Sequence, residues 1–338
     1  MTGENGPSNA PTRPGLKTWS SLLGNRKRPS EYEVVSYKLH YRNRNADAAY
    51  EQSPDSMMNK WYREHVFGSP LQHPDWDAFR DPDEVTYRSY CTMQDGQEQF
   101  VDVLLNDHNE NRHDASLSPE WAETLARMYT PARYLFSALQ MASAYLVQIA
   151  PASTITNCAV FQEADQYRWL SRIAYRTAEL KQTWPDLGFG EREREVWETA
   201  PEWQGFRELM EKVLATFDWG ETLVALNFVA IRAADAAFIH GLSHSARAHG
   251  DTLTAMMLDN QNKDALRSQR WTKALAAHTL AHEPNRAVVE DWLEKWVPLG
   301  DKAIAAYCAG LPEGSDATKA ALDETAAFRA ELGFAGKD

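Results

Sequence analysis

Two seven-residue stretches of this chain carry the same pattern of chemically capable side chains. Gln162–Asp165–Arg168, within QEADQYR, and Gln261–Asp264–Arg267, within QNKDALR, both read Gln-x-x-Asp-x-x-Arg, and the two aspartates stand 99 positions apart. Carboxylates repeated on paired helices are how a four-helix bundle holds two metal ions, although the usual pattern there is Glu-x-x-His. On a helix, residues three and six apart stay on one side, which predicts each Asp beside its own Gln and Arg. The Asp165 side also carries Cys158, Phe161 and Trp169, and the Asp264 side Met257, Trp271 and Leu275, so both carboxylates are expected in an apolar, largely buried setting. A buried carboxylate must be paired, hydrogen-bonded or metal-bound. Arginine does not give up its proton to become a ligand, and its fixed charge repels a cation. The pattern therefore favours a cross-bundle Asp–Arg network in place of metal over a metal site or a coincidence of exposed faces.

The other candidates are weaker. His240 and His244 are four apart, as are His278 and His282, a spacing that can bind zinc on one helical face. A hydrolytic zinc helix also needs the Glu of His-Glu-x-x-His, and Gly241 and Thr279 occupy that slot. These histidines, with His249 pointing elsewhere, are read as protonatable surface groups, and so are His108 and His113 in their polar stretch. The one clear Glu-x-x-His, Glu110 to His113, falls in a polar connection, and no Glu lies between Glu221 and Gly250 on the helix before the second triad. Cys91, Cys158 and Cys308 are sparse, with no Cys-x-x-Cys, which excludes self-contained zinc ribbons and iron–sulfur sites and fits a reducing cytoplasm. There is no Gly-x-Gly-x-x-Gly after a strand, no phosphate-binding Gly-x-x-x-x-Gly-Lys-Ser/Thr and no Gly-x-Ser-x-Gly elbow.

Positioning the triads requires long helices, and most of the chain supplies them. Half of the sixteen prolines precede residue 85, which argues against long helices there. That region nevertheless holds Trp19, Tyr32, Tyr37, Tyr41, Trp61 and Tyr62, too many rings for a disordered tail. An extended arm over 16–90 is expected, burying its rings against another subunit as much as against this chain, after a mobile end at 1–15. The stretch 31–41 is the only clean strand-like alternation. From about residue 95 the pattern is helical: 95–112; a helix opened by Ser118 as N-cap with Pro119 at its first position and kinked at Pro131; and one of about 32 residues around Asp165 with no breaker. Two more long helices lead through Asp264, and a bundle over 91–310 is followed by a helix and tail at 311–338. The fold class expected is all-α, a ferritin-like (ribonucleotide reductase-like) long-helix bundle with an extended N-terminal arm.

Composition narrows the partners. A net charge of −13 argues against nucleic acid, and the basic run GNRKRPS (24–30) is best read as a solvated loop or a contact to an acidic protein surface. The charge run GEREREVWE (190–198) is read as a solvated helix start. No apolar run is expected to approach the ~20 residues of a membrane span, and the polar start lacks the apolar core of a signal peptide. A cytoplasmic protein with no membrane partner is expected.

Long blocks of the sequence resemble one family. LKTWSSLLGNRKRPSEYEVVSYKLHY, SPLQHPDWDAFRDPDEVTYRSYCTMQDGQE, YTPARYLFSALQMASAY, APASTITNCAVFQEADQYRWLSRIAYRTAEL, WQGFRELMEKVLATFDWGE and RWTKALAAHTLA are similar to beta subunits of bacterial di-iron multicomponent monooxygenase hydroxylases, in the toluene/aromatic and alkene/isoprene group. The resemblance spans about residues 16–300. It implies an (αβγ)₂ assembly whose alpha subunit carries the di-iron centre, while the beta subunit has a similar bundle without metal or cofactor and scaffolds the two halves. It implies gamma and a second beta subunit as further partners, an effector protein and a Rieske ferredoxin as transient ones, and NADH, FAD and 2Fe-2S clusters in separate electron-transfer components. Laid on the alpha-type motif, Asp165 and Arg168 fall where one Glu-x-x-His would stand, and Asp264 and Arg267 where the other would. The arm is implied to wrap the alpha subunit, with Trp19, Arg26, Arg28, Tyr32, Tyr37, Tyr41, Trp61 and Tyr62 as interface residues. A self-sufficient ferritin-like metal oxidase and a helical interaction protein unrelated to oxygen are the competing readings. The hydrocarbon, an alkene such as isoprene or an aromatic such as toluene, is not legible in a chain that lacks the pocket.

Overall fold

The computed structural model describes residues 29–37 and 55–334, and among these the chain is helical throughout, with no strand. Of the strand-like stretch at 31–41, the described part, 31–37, corrects first. Ser30 Oγ accepts from Glu33 N–H at 3.2 Å while the Glu33 carboxylate accepts from Ser30 N–H at 2.7 Å. This capping box starts helix α1 (Glu31–Ser36), whose i,i+4 pair Tyr32 and Ser36 is buried. A capped turn with one buried face outweighs a period-2 pattern that has no partner strand. Trp19, Arg26, Arg28, Tyr41 and most of the basic run lie outside the described residues.

The rest of the described arm packs on this chain's own bundle. Tyr32 Oη accepts from Asp81 N–H at 3.0 Å, and Ser153 Oγ donates to the Ser36 carbonyl at 2.7 Å. From α2 (Met57–Tyr62), Trp61 Nε1 donates to Tyr145 Oη at 2.9 Å and Tyr62 Oη to the Gln148 carbonyl at 2.5 Å. Tyr32 and Tyr62 are therefore buried inside this chain, which removes both from the interface set.

Helix α3 (Tyr87–Glu110) begins eight residues before Asp95, because Thr86 and Ser89 cap each other's backbone N–H groups. Ser118 caps α4 (Pro119–Thr124) with Pro119 at its first position, as the sequence signals. A π-helical turn at Leu125–Tyr129 and the Thr130–Pro131 turn then redirect the chain into α5 (Ala132–Ile149). Three residues on, α6 (Ser153–Thr183) runs 31 residues without a break and pairs along α5. Next come α7 (Glu193–Thr199) and α8 (Pro201–Leu214). Glu193, in the charge run read as solvated, is buried and accepts from Gly190 N–H at 2.6 Å.

The centre of the bundle is one 30-residue helix, Trp219–Ala248, made of α9 (Trp219–Leu223), α10 (Ile231–Ala234) and α11 (Leu242–Ala248) joined by π-helical stretches at Val224–Ala230 and Asp235–Gly241. Contrary to the sequence expectation, it is long and apolar enough to cross a membrane by length and composition. Its apolar window is wholly buried in this chain, as a central helix requires. Helix α12 (Thr252–Leu280) folds back along it, and α13 (Asn285–Ala309) and α14 (Gly314–Glu331) close the far side. Gly205 lets α8 lie against α13: a Cβ there would stand 2.6 Å from Ala303 Cα. Phe328 and Ala321 of α14 belong to the same continuous core as α5 and α12, so the last helix is part of the bundle.

Candidate functional site

The two triads meet between α6 and α12, beneath α3, but their pairing differs from the local one that helical spacing predicts. Asp165 pairs through Oδ2 with Arg267 of the opposite helix, in a short bond to Nη2. Asp264 Oδ2 accepts from Arg168 Nη1 at 3.1 Å, again across the interface. Only Arg267 also keeps its own aspartate, with Nη1 3.3 Å from Asp264 Oδ1. Both carboxylates and Arg267 are buried.

Helix α3 supplies the remaining donors. Asp165 Oδ1 accepts from Tyr90 Oη and Gln94 Nε2, each at 3.0 Å. The same Gln94 amide donates to Asp264 Oδ1 at 2.9 Å, Gln97 Nε2 donates there at 3.1 Å, and Trp169 Nε1 reaches Asp264 Oδ2 at 3.1 Å. Gln94 thus bridges the two carboxylates. The sequence carried a signal for this: 90, 94, 97, 101 and 104 keep helical spacing, with glutamines in two of the inward slots.

Around the network lies a ladder of arginines on α6 at four-residue spacing. Arg168 stands 2.9 Å from Glu98 and its guanidinium carbon 4.7 Å from the Trp169 ring centre. Arg172 binds Glu98 and, at 2.9 Å, Asp102. Fully buried Arg176 pairs with Asp114 and, at 3.2 Å, with Glu179. A second polar layer runs deeper. Gln162 accepts from Asn227 Nδ2 and Ser268 Oγ, each at 2.9 Å, and Arg232 Nη2 donates to Ser268 Oγ at 2.8 Å. Arg232 lies 3.3 Å from Asp235, a buried i,i+3 pair inside the most apolar helix that the search for Glu passed over.

Electrostatics follow from this crowding. Burial, reinforced by the Asp264 charge, pushes the Asp165 carboxyl up to about 7 against the opposing pull of Arg267. Burial likewise raises Asp235 and lowers Arg232. Two cavities touch the network, of about 10 and 20 Å³. They have room for a water molecule or so, whereas a small-molecule pocket has roughly 300 Å³ or more.

The donor set does not suit a dinuclear metal site. Gln162, Asp165, Gln261 and Asp264 supply two carboxylates where such a site takes four carboxylates and two imidazoles. Two guanidiniums stand on those carboxylates, and their charge occupies the place of a cation. Among the described residues, no group of three or more His, Cys, Asp or Glu is arranged to hold a metal ion.

The histidines divide. His244 is exposed, as expected. His240 is half-buried between Glu324 of α14 (2.8 Å) and Asn262 (3.0 Å), and chiefly the Glu324 hydrogen bond raises it to about 9. His278 lies with its ring 4.0 Å from that of His73 and its Nε2 3.0 Å from the Asp75 carbonyl; burial first, then His73, lowers it. His113 is corrected from surface group to structural partner. Its Nε2 is 3.0 Å from Oδ1 of fully buried Asp251, which also accepts from Thr254 N–H and Trp121 Nε1. Burial raises Asp251, but these bonds together lower it.

With this geometry in hand, the comparisons with known proteins are specific. A family profile described as Methane/Phenol/Alkene Hydroxylase matches residues 61–283. The hydroxylase component subunit beta of the toluene-4-monooxygenase system of Ectopseudomonas mendocina is 50% identical over 318 residues, 94% of this chain and 97% of that one. The phenol 2-monooxygenase oxygenase component DmpL of Pseudomonas sp. (strain CF600) is 26% identical, covering 80% of this chain and 82% of its own length. A solved structure of toluene 4-monooxygenase, with toluene bound in the resting active site, superposes with a TM-score of 0.83 at 50% identity, over 88% of this chain and 98% of that chain.

Proposed function

The chain belongs to the methane/phenol/alkene hydroxylase family, and we propose that it is the non-catalytic beta-type subunit of a di-iron hydroxylase that inserts one atom of O₂ into a small hydrocarbon. The observation that carries this reading is the crossed pairing of Asp165 with Arg267 and of Asp264 with Arg168. Two guanidiniums hold the carboxylates of the bundle centre, so the chain keeps a helical bundle of this family while its two central carboxylates are satisfied by protein groups. The iron and the substrate pocket then belong to a larger alpha subunit, with a gamma subunit and a second copy completing an (αβγ)₂ assembly in the cytoplasm. Electrons reach that iron from NADH through FAD and 2Fe-2S components, with a Rieske ferredoxin and an effector protein as transient partners. An aromatic such as toluene is the favoured substrate, in line with the 50%-identical relative's name, and alkenes such as isoprene are the next class to try.

The arm contributes to assembly through Trp19, Arg26, Arg28, Tyr37, Tyr41 and Trp61. The role of this chain is mechanical: it holds the catalytic subunit and the dimer in place, and no bond-making step is assigned to its residues.

Co-expression with the larger hydroxylase subunit tests the reading. The two chains are expected to copurify with iron, and this chain alone to hold less than stoichiometric iron. Stoichiometric iron in the isolated chain, or failure of any iron-bearing chain to copurify, overturns it.

A further inference from the structure

Helix α3 turns Tyr90, Gln94 and Gln97 inward to the ion-pair network and, among the described residues, leaves its outer side exposed. Thr92, Met93, Gly96, Gln99, Phe100 and Val103 occupy that side at helical spacing, all exposed and none charged, with Val103 66% exposed. A solvated helix face ordinarily carries charge there. Gly96 is an independent sign. It sits mid-helix and exposed, an added Cβ would meet nothing within 4 Å, and its φ is not positive. Glycine weakens a helix interior, yet nothing among the described residues needs glycine at that point. Close approach of another backbone does.

We propose that the outer face of α3, crossed at Gly96, is the docking surface for the larger, iron-bearing hydroxylase subunit. The inference rests on the functional reading above and adds where the two chains meet. Its extent suits a stable contact. The 24 residues of α3 span about 36 Å. The adjoining outer side of α12 adds Met256 and Leu266, with Lys263 5.4 Å from the Phe100 ring. Two helices roughly 10 Å apart then offer on the order of 700 Å², near the ~800 Å² per partner of a standard interface. Charge selects the occupant. Asp95 and Asp107 are exposed along α3, beside Asp102, which Arg172 pairs, and the chain carries a net −13. A second copy crossing at Gly96 would set these acids against their equivalents, whereas an unlike helix with an apolar face and a basic margin complements them.

The test co-expresses full-length wild type, Gly96→Arg, Val103→Arg or Leu214→Arg with the tagged larger subunit and measures the amount of each recovered. Leu214 is an exposed apolar residue (39%) on α8, which packs on α13 instead. Recovery is expected to fall roughly tenfold or more for the two α3 variants and to stay at the wild-type level for Leu214→Arg. Both α3 substitutions point into open solvent, so the free variants should melt as wild type does, and Gly96→Ala should melt higher. Wild-type recovery of both α3 variants overturns the docking surface while leaving the functional reading intact. Equal loss for Leu214→Arg overturns it as well, as does loss of self-association with the larger subunit still bound. Failure of wild type itself to bring down the larger subunit refutes the functional reading, and this inference with it.

Discussion

Replacing Asp165 with alanine should destabilise the chain without touching chemistry, and the size of the effect follows from its contacts. Breaking a buried ion pair by removing one partner costs ~3–5 kcal/mol when the other is left alone. Arg267 is not left alone, since Asp264 remains 3.3 Å away, so the charge contribution belongs near ~2–3 kcal/mol. Gln94 keeps Asp264 as an acceptor, whereas Tyr90 Oη loses the acceptor it has here, adding ~1 kcal/mol. The total is ~3–4 kcal/mol. With an unfolding entropy of about 2.1 cal/mol/K per residue, a chain of this length loses about 4–6 °C in Tm. The double variant Asp165→Ala/Arg267→Met removes the stranded guanidinium too, and should recover about half of that loss because the two sites are coupled. Thermal unfolding followed by far-UV circular dichroism measures both. A single variant that melts within 1 °C of wild type, or a double variant whose loss equals the sum of the two single losses, refutes the reasoning. Turnover per assembled, iron-replete complex should stay within about twofold of wild type, because no step of the reaction is assigned to this network.

Proton linkage gives a signed test of the same site. The folded Asp165 carboxyl, at about 7, lies above its unfolded value near 4, so the proton it takes up on folding stabilises the chain fully below pH ~4, and that proton-linked part is lost as pH rises through about 7. The Tm of Asp165→Asn minus that of wild type should therefore climb between those limits and level off above pH 7; a flat difference would remove the linkage. His240 runs the other way into alkali: raised to about 9 by Glu324, it stabilises fully below about pH 6.5, and that support is lost as pH rises through about 9. Protection factors in α14, taken relative to the intrinsic exchange rate at each pH, should fall over that interval in wild type and not in His240→Gln. Replacing Gly205 with valine would push a Cβ against the α13 backbone and should cost ~1–3 kcal/mol, read as a lowered urea midpoint. Deleting residues 1–28, with Trp19, Arg26 and Arg28, should weaken binding of the larger subunit, seen as a dissociating complex in size-exclusion chromatography; an unchanged complex would remove the arm from the interface.

Much of the architecture was legible because local chemistry and global packing agree there. The Ser118–Pro119 start and the unbroken run through Asp165 specify helices wherever they are placed, and α4 and α6 form as read. The arm was less legible. At 31–36 a capping box opposed a strand-like alternation, and only the buried contacts of Tyr32 with Asp81 and of Ser36 with Ser153 show which wins. The ladder Arg168, Arg172 and Arg176 was not read from the sequence, because most of its acids come from α3, the connection after it and α12, which sequence distance hides.

By itself the sequence determined that two carboxylates with accompanying arginines would stand on long apolar helices, because residue types and helical period settle which groups share a face. Packing decided which arginine neutralises which aspartate. When α6 and α12 bring Asp165 and Asp264 together beneath α3, the carboxylates face across the interface, and each flexible guanidinium reaches the opposite helix. The same packing placed Gln94 between the two acids and left the other side of α3, around Gly96, exposed among the described residues. That juxtaposition is a property of three helices at once and is written in none of them alone.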